Sequence, residues 1–494
     1  MKRMSAAAIL IALLASVTVA PASAQLIPVW SRTYGGASAD GFRAAIRTRD
    51  AGYLAVGYTY SFGAGDADLF VVKTDALGDT LWTKTFGGPE YDCGYGVCET
   101  PAGDCVIAGY TRSYGAGLGD VYVIKIDAAG GCSWARTYGG SALDEGRSIC
   151  ATSEGLLFVA GQTESYGAGE SDAYLLHLNA DGDTLWTRTS GGAASDWVDG
   201  VCLTADGGCC ASGTTGSFNS TRDIYLIKVA ATGTPVWERN YGSATPYRED
   251  FGTGVCALAD GNIAVTGWRT DQDQADPSQV GLLTVDAGGV QQSYRRYSHP
   301  YIEYGSAICL TADGGTLICG SMKSTETQRN DLFLVRRDAS AWRWTQTFGD
   351  DGSDWGCSVS PCGPDHFVIA GYTQDPQSGV SDGWLLHVHE GDASWAPEAD
   401  GPTGLRLDLP RPNPANPGTS LRFTLPERAA VDLAILDVTG RRVRSLAAAV
   451  FEAGDHAMTW SGRDELGAPV ATGVYLARLQ VGSEVVTRKV VRID

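Results

Sequence analysis

The sequence predicts an all-β protein, a seven-bladed β-propeller followed by a small immunoglobulin-like β-sandwich, and three observations predict it. A motif of the form Trp-x-Arg-Thr-Tyr-Gly-Gly returns about every fifty residues. Each interval holds four short runs rich in Val, Ile, Tyr and Thr, divided by Gly and Asp turns. After residue 404 the repeat stops, and residues 405–494 show about seven further strand-like runs with frequent turns.

The composition agrees with this. The 494 residues are 44% hydrophobic and only 19% charged, which excludes disorder, and 64 Gly favour many turns. A formal net charge of −20 argues against nucleic acid or an anionic lipid surface as partner, because both demand a basic face.

Residues 1–24 read as an export signal. Lys2 and Arg3 supply the positive end, Ala6 to Ala15 the apolar stretch and Ala22-Ser23-Ala24 the cleavage site, so cleavage is expected between Ala24 and Gln25. No cysteine follows the cut to carry a lipid, and no later run approaches the ~20 apolar residues of a membrane-spanning helix. The expected location is secreted or at the outer cell surface.

The repeat occupies residues 25–395. Trp30-Ser-Arg-Thr-Tyr-Gly-Gly returns at Trp82, Trp134, Trp186, Trp237 and Trp344, with a degenerate copy at Ser293 and Trp395 closing the series; the spacings run from 51 to 56 residues. The first unit shows the plan: strand a from Gly41 to Thr48, b from Tyr53 to Thr59, c from Leu69 to Thr74 and d from Leu81 to Phe86. Four strands cannot bury both faces of their sheet alone, and radial stacking of seven such sheets is the propeller. The chain opens on a d strand, Val29 to Tyr34, and ends its repeats on a c strand around Trp384, so the first strand is expected to complete the last blade. In such a meander the tight a–b and c–d turns share one end, and the longer, variable b–c and d–a loops share the other, where binding usually resides.

Thirteen cysteines in an exported chain invite disulfides, but the number is odd. Cys98, Cys150, Cys202, Cys256 and Cys309 recur at one repeat position, each after Val or Ile, which favours small buried packing residues. Bridges between Cys98 and Cys105, and between Cys202 and Cys209, across their hairpins are the alternative.

A linker, 396–404, precedes the second domain. Residues 405–494 carry Pro412-Asn-Pro-Ala-Asn-Pro417, Asp437-Val-Thr-Gly-Arg441, Trp460-Ser-Gly-Arg-Asp464, Gly473-Val-Tyr475 and Arg488-Lys-Val-Val. In these motifs the segment resembles the FlgD-like immunoglobulin-like domain at the C-termini of exported bacterial proteins. That resemblance implies a type IX secretion sorting signal, recognition by the secretion machinery and a place at the outer surface; it carries over no catalytic residue. The repeats resemble tryptophan-containing propeller repeats of exported bacterial proteins and, more loosely, quinoprotein-like blades through Asp75-Ala-Leu-Gly-Asp-Thr-Leu-Trp82. Fold resemblance does not transfer function.

Several residue sets are candidate sites. Asp40, Asp92, Asp144, Asp196, Asp250 and Asp354, with Glu303 in the sixth unit, stand where the d–a loop enters strand a. They form either an acidic ring that holds Ca²⁺ or a basic ligand, or a set of separate caps each accepting N–H bonds in its own loop; seven sites cannot ligate one ion, which favours the caps. Asp68, Asp120, Asp172, Asp223, Asp331 and Asp382 precede strand c and read as turn caps. Phe62, Tyr114, Tyr166 and Phe218 in the b–c loops offer either stacking faces for sugars or packing between blades. The later units break the pattern with Arg248, Arg269, Tyr297, His299, Tyr301, Tyr304 and Lys323; this asymmetric sector is either the ligand site, if the protein has a single one, or the product of simple drift between repeats. His387-Val-His389 places two imidazoles on one strand face without an evident third ligand. Cys209-Cys210 is similar to the vicinal pair of some quinoprotein dehydrogenases but aligns with a strand. No nucleophile elbow, zinc-binding helix or P-loop is present.

The expected function is a non-enzymatic binding or scaffold role towards an extracellular glycan or protein. An extracellular hydrolase acting through loop carboxylates such as Asp196 and Asp199, and a structural surface-layer component, are the alternatives.

Overall fold

The computed structural model describes residues 25–219, 221–242, 248–271, 278–297, 302–323, 329–338, 342–349, 352–391, 406–407, 410, 418–425, 428–437, 440–482 and 484–492. Ala24, the linker 396–404 and the motif 412–417 lie outside them. Among the described residues every regular element is a β-strand.

Seven four-stranded antiparallel sheets lie between residues 25 and 391. In the first unit the strands β2 (Asp40–Arg47), β3 (Tyr53–Thr59), β4 (Asp68–Thr74) and β5 (Thr80–Phe86) pair in chain order, and five later units repeat that order. The seventh sheet consists of Ser353–Gly363, His366–Gln374 and Ser381–Gly391, and its outer strand is β1 (Gln25–Tyr34), paired with Ser381–Gly391 from Gln25 opposite Gly391 to Tyr34 opposite Gly383. The two middle strands of each sheet are near-continuous apolar runs because other sheets cover both of their faces, as in the fully buried pattern of Asp68–Thr74.

The repeated tryptophan explains how one sheet holds the next. Trp30 Nε1 donates to the carbonyl of Ala76 at 3.2 Å, Trp82 to Ala128 at 3.2 Å, Trp134 to Ala180 at 3.2 Å, Trp186 to Ala231 at 2.9 Å and Trp237 to Ala287 at 2.9 Å. Each bond runs from an outer strand to the c–d turn of the following sheet. The tyrosine four residues on adds a second tie, Tyr34 to the Gly78 carbonyl and Tyr241 to that of Gly289, both at 2.6 Å. The turn glycine must be glycine: Gly78 has φ +80°, and a Cβ there would come within 3.0 Å of the Trp30 ring. The Trp30 bond spans the junction of the seventh sheet with the first, where Ala45 N–H also donates to Ser358 Oγ at 3.2 Å.

At the same end of the sheets a second repeated device appears. A cation late in strand c pairs with the acid of the a–b turn: Lys73 with Asp50 at 2.9 Å, Lys228 with Asp206 at 2.8 Å and Arg336 with Asp313 at 2.6 Å. Burial pushes these carboxyls up, but the hydrogen bonds from the cation, the turn threonine and a turn amide outweigh it and hold each at about 2. In the third unit the position holds His177, stacked on Phe158 with centroids 4.2 Å apart. In the seventh it holds His387, whose Nε2 is 3.0 Å from His366 Nδ1 and whose Nδ1 is 3.4 Å from the Tyr53 hydroxyl.

All thirteen cysteines are free. The two proposed hairpin bridges fail on register. Cys98 stands opposite Val106 and Cys105 opposite Glu99, while Cys202 stands opposite Cys210 and Cys209 opposite Leu203. A one-residue offset sends the two side chains to opposite faces of the sheet, and each member of a pair joins a different core cluster. Cys150, Cys256 and Cys309 pack likewise between sheets.

The C-terminal segment forms two further sheets. One holds Arg406–Leu407, Thr419–Leu425 and Gly454–Trp460; the other orders Arg442–Phe451, Ala429–Asp437, Gly473–Val481 and Glu484–Arg492. Leu421, Phe423, Leu433, Ile435, Trp460, Ala477 and Leu479 fill the space between them. Trp460 donates to the Arg463 carbonyl at 2.9 Å and packs edge-on against Tyr475, which gives the two C-terminal aromatic motifs a structural role.

Two predictions follow from the junction of the first and seventh sheets. Trp30→Ala should lower stability by about 3–5 kcal/mol in chemical denaturation, because it removes a buried indole and its bond to the neighbouring sheet; a deletion of residues 25–36 should aggregate, since it bares the edge of Ser381–Gly391. Burial, together with His366, Arg47 and His389, depresses His387 to about 4. Its contribution is therefore complete above pH 6.5 and lost as the pH falls towards 4. His387→Gln should flatten the decline of Tm across that window.

Candidate ligand pocket among the innermost strands

The first strand of every sheet contacts the first strands of its neighbours, and each carries the same irregularity. The ladder with the second strand slips at the fourth residue, which is left unpaired: Arg43, Tyr95, Arg147, Asp199, Ser306 and Cys357, with Thr253 and Gly254 in the fifth unit. A bulge re-aims a side chain out of the ladder, and it does so here at the position where the sheets face one another.

A cavity of about 480 Å³ opens among these strands. Its aromatic walls are Trp268, Tyr304, Trp355 and Tyr372; its polar groups are Arg43, Lys323, Asn330, Ser306, Ser321 and Cys357; among the described residues that line it there is no carboxylate. Arg43 from the first unit and Trp268 from the fifth reach the same space, so four units contribute. The rings brace one another: Trp268 stacks on Phe251 at 4.7 Å and meets the edge of Tyr304 at 5.6 Å, and Trp355 stacks on Tyr372 at 4.6 Å. The Arg43 guanidinium lies over the rings of Tyr58 at 5.4 Å and of Tyr95 and Tyr372 at 5.9 Å. Gly41 makes this possible, since a Cβ there would come within 2.9 Å of the Tyr58 ring. Burial pushes the Tyr372 phenol up to about 12 and the Cys93 thiol beside Arg43 up to about 11, so both are neutral near pH 7.

In units three and four the bulged residues are already paired. Arg147 binds Glu145 at 2.9 Å and Asp199 at 2.6 Å, and Asp199 also accepts from Trp197 Nε1 at 3.0 Å.

The acidic series has a different setting. Asp40, Asp92, Asp144, Asp196, Asp250 and Asp354 are fully buried at the start of the first strands. In the first four units the carboxylate accepts from a loop glycine amide, as Gly36 to Asp40 at 2.7 Å, and from a serine of the b–c loop, as Ser61 to Asp40 at 2.7 Å; Asp92, Asp144 and Asp196 repeat both bonds. Each acid thus caps the two loops of its own unit, and the residue opposite it on the second strand, Thr59, Thr111, Thr163 or Thr215, stands beside it. Among the described residues no group of three His, Cys, Asp or Glu is disposed to hold a metal ion. Asp68, Asp120 and Asp172 cap their loops as expected, accepting from Ala64, Ala116 and Ala168 amides at 2.7–2.9 Å.

Units five and six break the rule at that opposite position. Arg269 replaces the threonine and forms a two-point ion pair with Asp250, with Nη2 at 2.9 Å, while Tyr294 donates to the same carboxylate at 3.2 Å. Arg269 is therefore held by a buried acid and is not among the described residues that line the cavity. In unit six Met322 takes the position and offers no donor. Glu303 is buried there; neither of its oxygens accepts a hydrogen bond of ordinary geometry, and burial raises its carboxyl to about 8 although the Val280 amide opposes this.

Of the asymmetric-sector residues, Tyr304 and Lys323 line the cavity. Arg248 stands opposite Asp271 at the start of its ladder, and Tyr297 packs edge-on against Trp342 at 5.7 Å. His299 and Tyr301 lie outside the described residues. The loop aromatics lean on their own c strands, with Tyr114 5.7 Å from Tyr122 and Tyr166 6.0 Å from Tyr174, and the Tyr166 hydroxyl ties down the Gly139 carbonyl at 2.7 Å. Arg43, Trp268, Trp355 and Tyr372, which also line the cavity, were not among the candidates read from the sequence. The detectable signal was variation: the second and fourth residues of the first strands change from unit to unit while their neighbours recur as Gly, Val, Ile and Cys.

Comparison with known proteins adds the following. Residues 415–484 match the FlgD Ig-like domain family, so the C-terminal part of the chain is a FlgD Ig-like domain. The regulatory protein FlaEY of Caulobacter vibrioides is 27% identical over 164 residues, 28% of this chain and 17% of its own length, so the chain spans under a fifth of that relative. Among solved structures, a Dyadobacter fermentans protein of unknown function superposes with a TM-score of 0.44 at 9% identity, covering 74% of this chain and 99% of its own. PorZ, a surface component of the type-IX secretion system of Porphyromonas gingivalis, gives 0.37 at 11%, covering 88% and 65%. A puromycin hydrolase gives 0.42 at 14%, covering 79% and 59%. At such scores none transfers an activity, substrate or partner. Among the described residues no helix is long and apolar enough to cross a membrane.

The Glu303 environment makes a pH prediction of opposite sign to that of His387. A carboxyl held protonated to about pH 8 stabilises the fold below its ordinary value of 4.5, and that contribution is lost as the pH rises through 8. Glu303→Gln should leave stability at pH 5 unchanged and raise it at pH 9 by on the order of 2 kcal/mol, measured by urea unfolding.

Proposed function

We propose that the chain is an exported, non-enzymatic binding protein. Residues 25–395 form a seven-bladed β-propeller closed by its own N-terminal strand, and the cavity among its innermost strands takes an extracellular glycan. The observation that carries the reading is the set of four braced aromatic rings around one cavity, of a size in the range of small-molecule sites. Flat rings with polar groups between them suit sugar rings, which present C–H faces and hydroxyl edges at once. Residues 1–24 direct export and are removed between Ala24 and Gln25; residues 396–404 link the propeller to the domain at 405–494, which delivers the protein to the secretion machinery and the cell surface. The FlgD Ig-like match supports that last role.

The hydrolase reading has less support. Asp196 is buried and bonded to Ser217 and Thr215, and Asp199 is bonded to Arg147 and Trp197, so neither carboxylate stands ready as acid or base.

The test is glycan-array binding by the full mature chain, with Ca²⁺ and again with chelator. Selective binding that survives chelation is expected, because the acidic series caps loops. Trp355→Ala should weaken the best glycan about tenfold or more. Binding that vanishes with chelator and ignores Trp355→Ala would overturn this placement of the site.

A further inference from the structure

We infer that the ligand of this cavity is an acidic saccharide whose carboxylate or sulfate is held by Arg43 and Lys323. The inference rests on the glycan-binding reading and adds the charge.

Its basis is an imbalance inside an acidic protein. The chain carries 57 acidic against 37 Lys and Arg residues, yet two cations share a cavity whose described lining residues include no carboxylate. Among the described residues neither Arg43 nor Lys323 forms an ion pair. By contrast Lys73, Lys228, Arg147, Arg269 and Arg336, which also sit within the sheets, each have a carboxylate oxygen at 2.6–2.9 Å. A guanidinium cannot shed its charge at physiological pH, so a half-buried one either finds an anion or bears a desolvation cost.

The neighbours of Arg43 do not supply that anion. Tyr58, Tyr95 and Tyr372 offer ring faces, and the thiol of Cys93 remains protonated because burial raises it to about 11. Arg43 Nε has no hydrogen-bond partner. The bulge takes this residue out of the ladder, so its side chain is positioned without being consumed by the sheet. A saccharide fits better than an acidic peptide because four aromatic rings line the cavity together with the hydroxyl and amide side chains of Ser306, Ser321 and Asn330.

The test is calorimetric titration of the full mature chain with trimeric oligouronate, its methyl ester, a sulfated neutral trimer and triglutamate. We expect oligouronate or the sulfated trimer to bind at least about tenfold tighter than the ester, the gain of a charge-assisted bond. Which of the two wins distinguishes carboxylate from sulfate. Arg43→Gln should erase that preference while leaving ester binding in place, and Lys323→Gln, an edge substitution that keeps the fold if Arg43→Gln does not, should reduce it several-fold. Equal affinity for acid and ester, or a preference that survives both substitutions, overturns the charge inference and leaves the glycan reading standing. Tighter binding of triglutamate than of any saccharide, or no saccharide binding at all, overturns both.

Discussion

The bond from an outer-strand indole to the turn of the following sheet is the contact on which the arrangement depends. Sheets that meet only through apolar faces can slide, whereas a directional bond at a fixed carbonyl sets their relative position. The tyrosine four residues later supplies a second point of attachment, and the positive-φ glycine gives the ring room to lie over the turn. The same device operates between the seventh sheet and the first, through Trp30 of the N-terminal strand. Two chain segments more than 340 residues apart therefore share one sheet, and the edge that either would otherwise expose is paired.

Inside this frame the sequence separates constant from variable positions. Each buried Asp at the head of a first strand satisfies loop amides and a loop serine, so the loops above are rigid for reasons local to each unit. The bulge that follows leaves one side chain per unit unpaired in the ladder. In units three and four those side chains neutralise one another through Arg147 and Asp199. In units six, seven and one they join the rings of Trp268, Trp355 and Tyr372 around a cavity, with Arg43 the cation left over. Units five and six also break the capping rule, through Arg269 and Met322, so local irregularity and the cavity occupy neighbouring parts of the molecule.

Much of the strand order was legible because tryptophans, glycines and aspartates recur at positions where backbone geometry or an unsatisfied amide demands them. The packing role of Cys150 and Cys309 was legible for the same reason. The hairpin bridges were not, because the face of a strand on which Cys98 or Cys209 falls depends on a register that a bulge shifts by one residue. The partner of Arg269 was not legible, since nothing in the variable sector marks the buried Asp250 as the acid that holds it. Arg43 was passed over because it sits in a regular unit, and only the convergence of distant strands shows that it lines the same cavity as Trp355 and Trp268. Three histidines came together for a reason absent from the local pattern, since His366 lies on the strand next to His387 and His389 and takes the place of a turn acid.

The account's central claim is that the N-terminal strand is an integral part of the last sheet. Hydrogen exchange of the backbone amides of Trp30 to Tyr34 tests it most directly. The account predicts protection close to that of the amides of Leu385 and Leu386 in the strand they pair with, lost together in one cooperative unfolding event. Exchange of those amides near the rate of an exposed peptide, with Leu385 and Leu386 still protected, would contradict it.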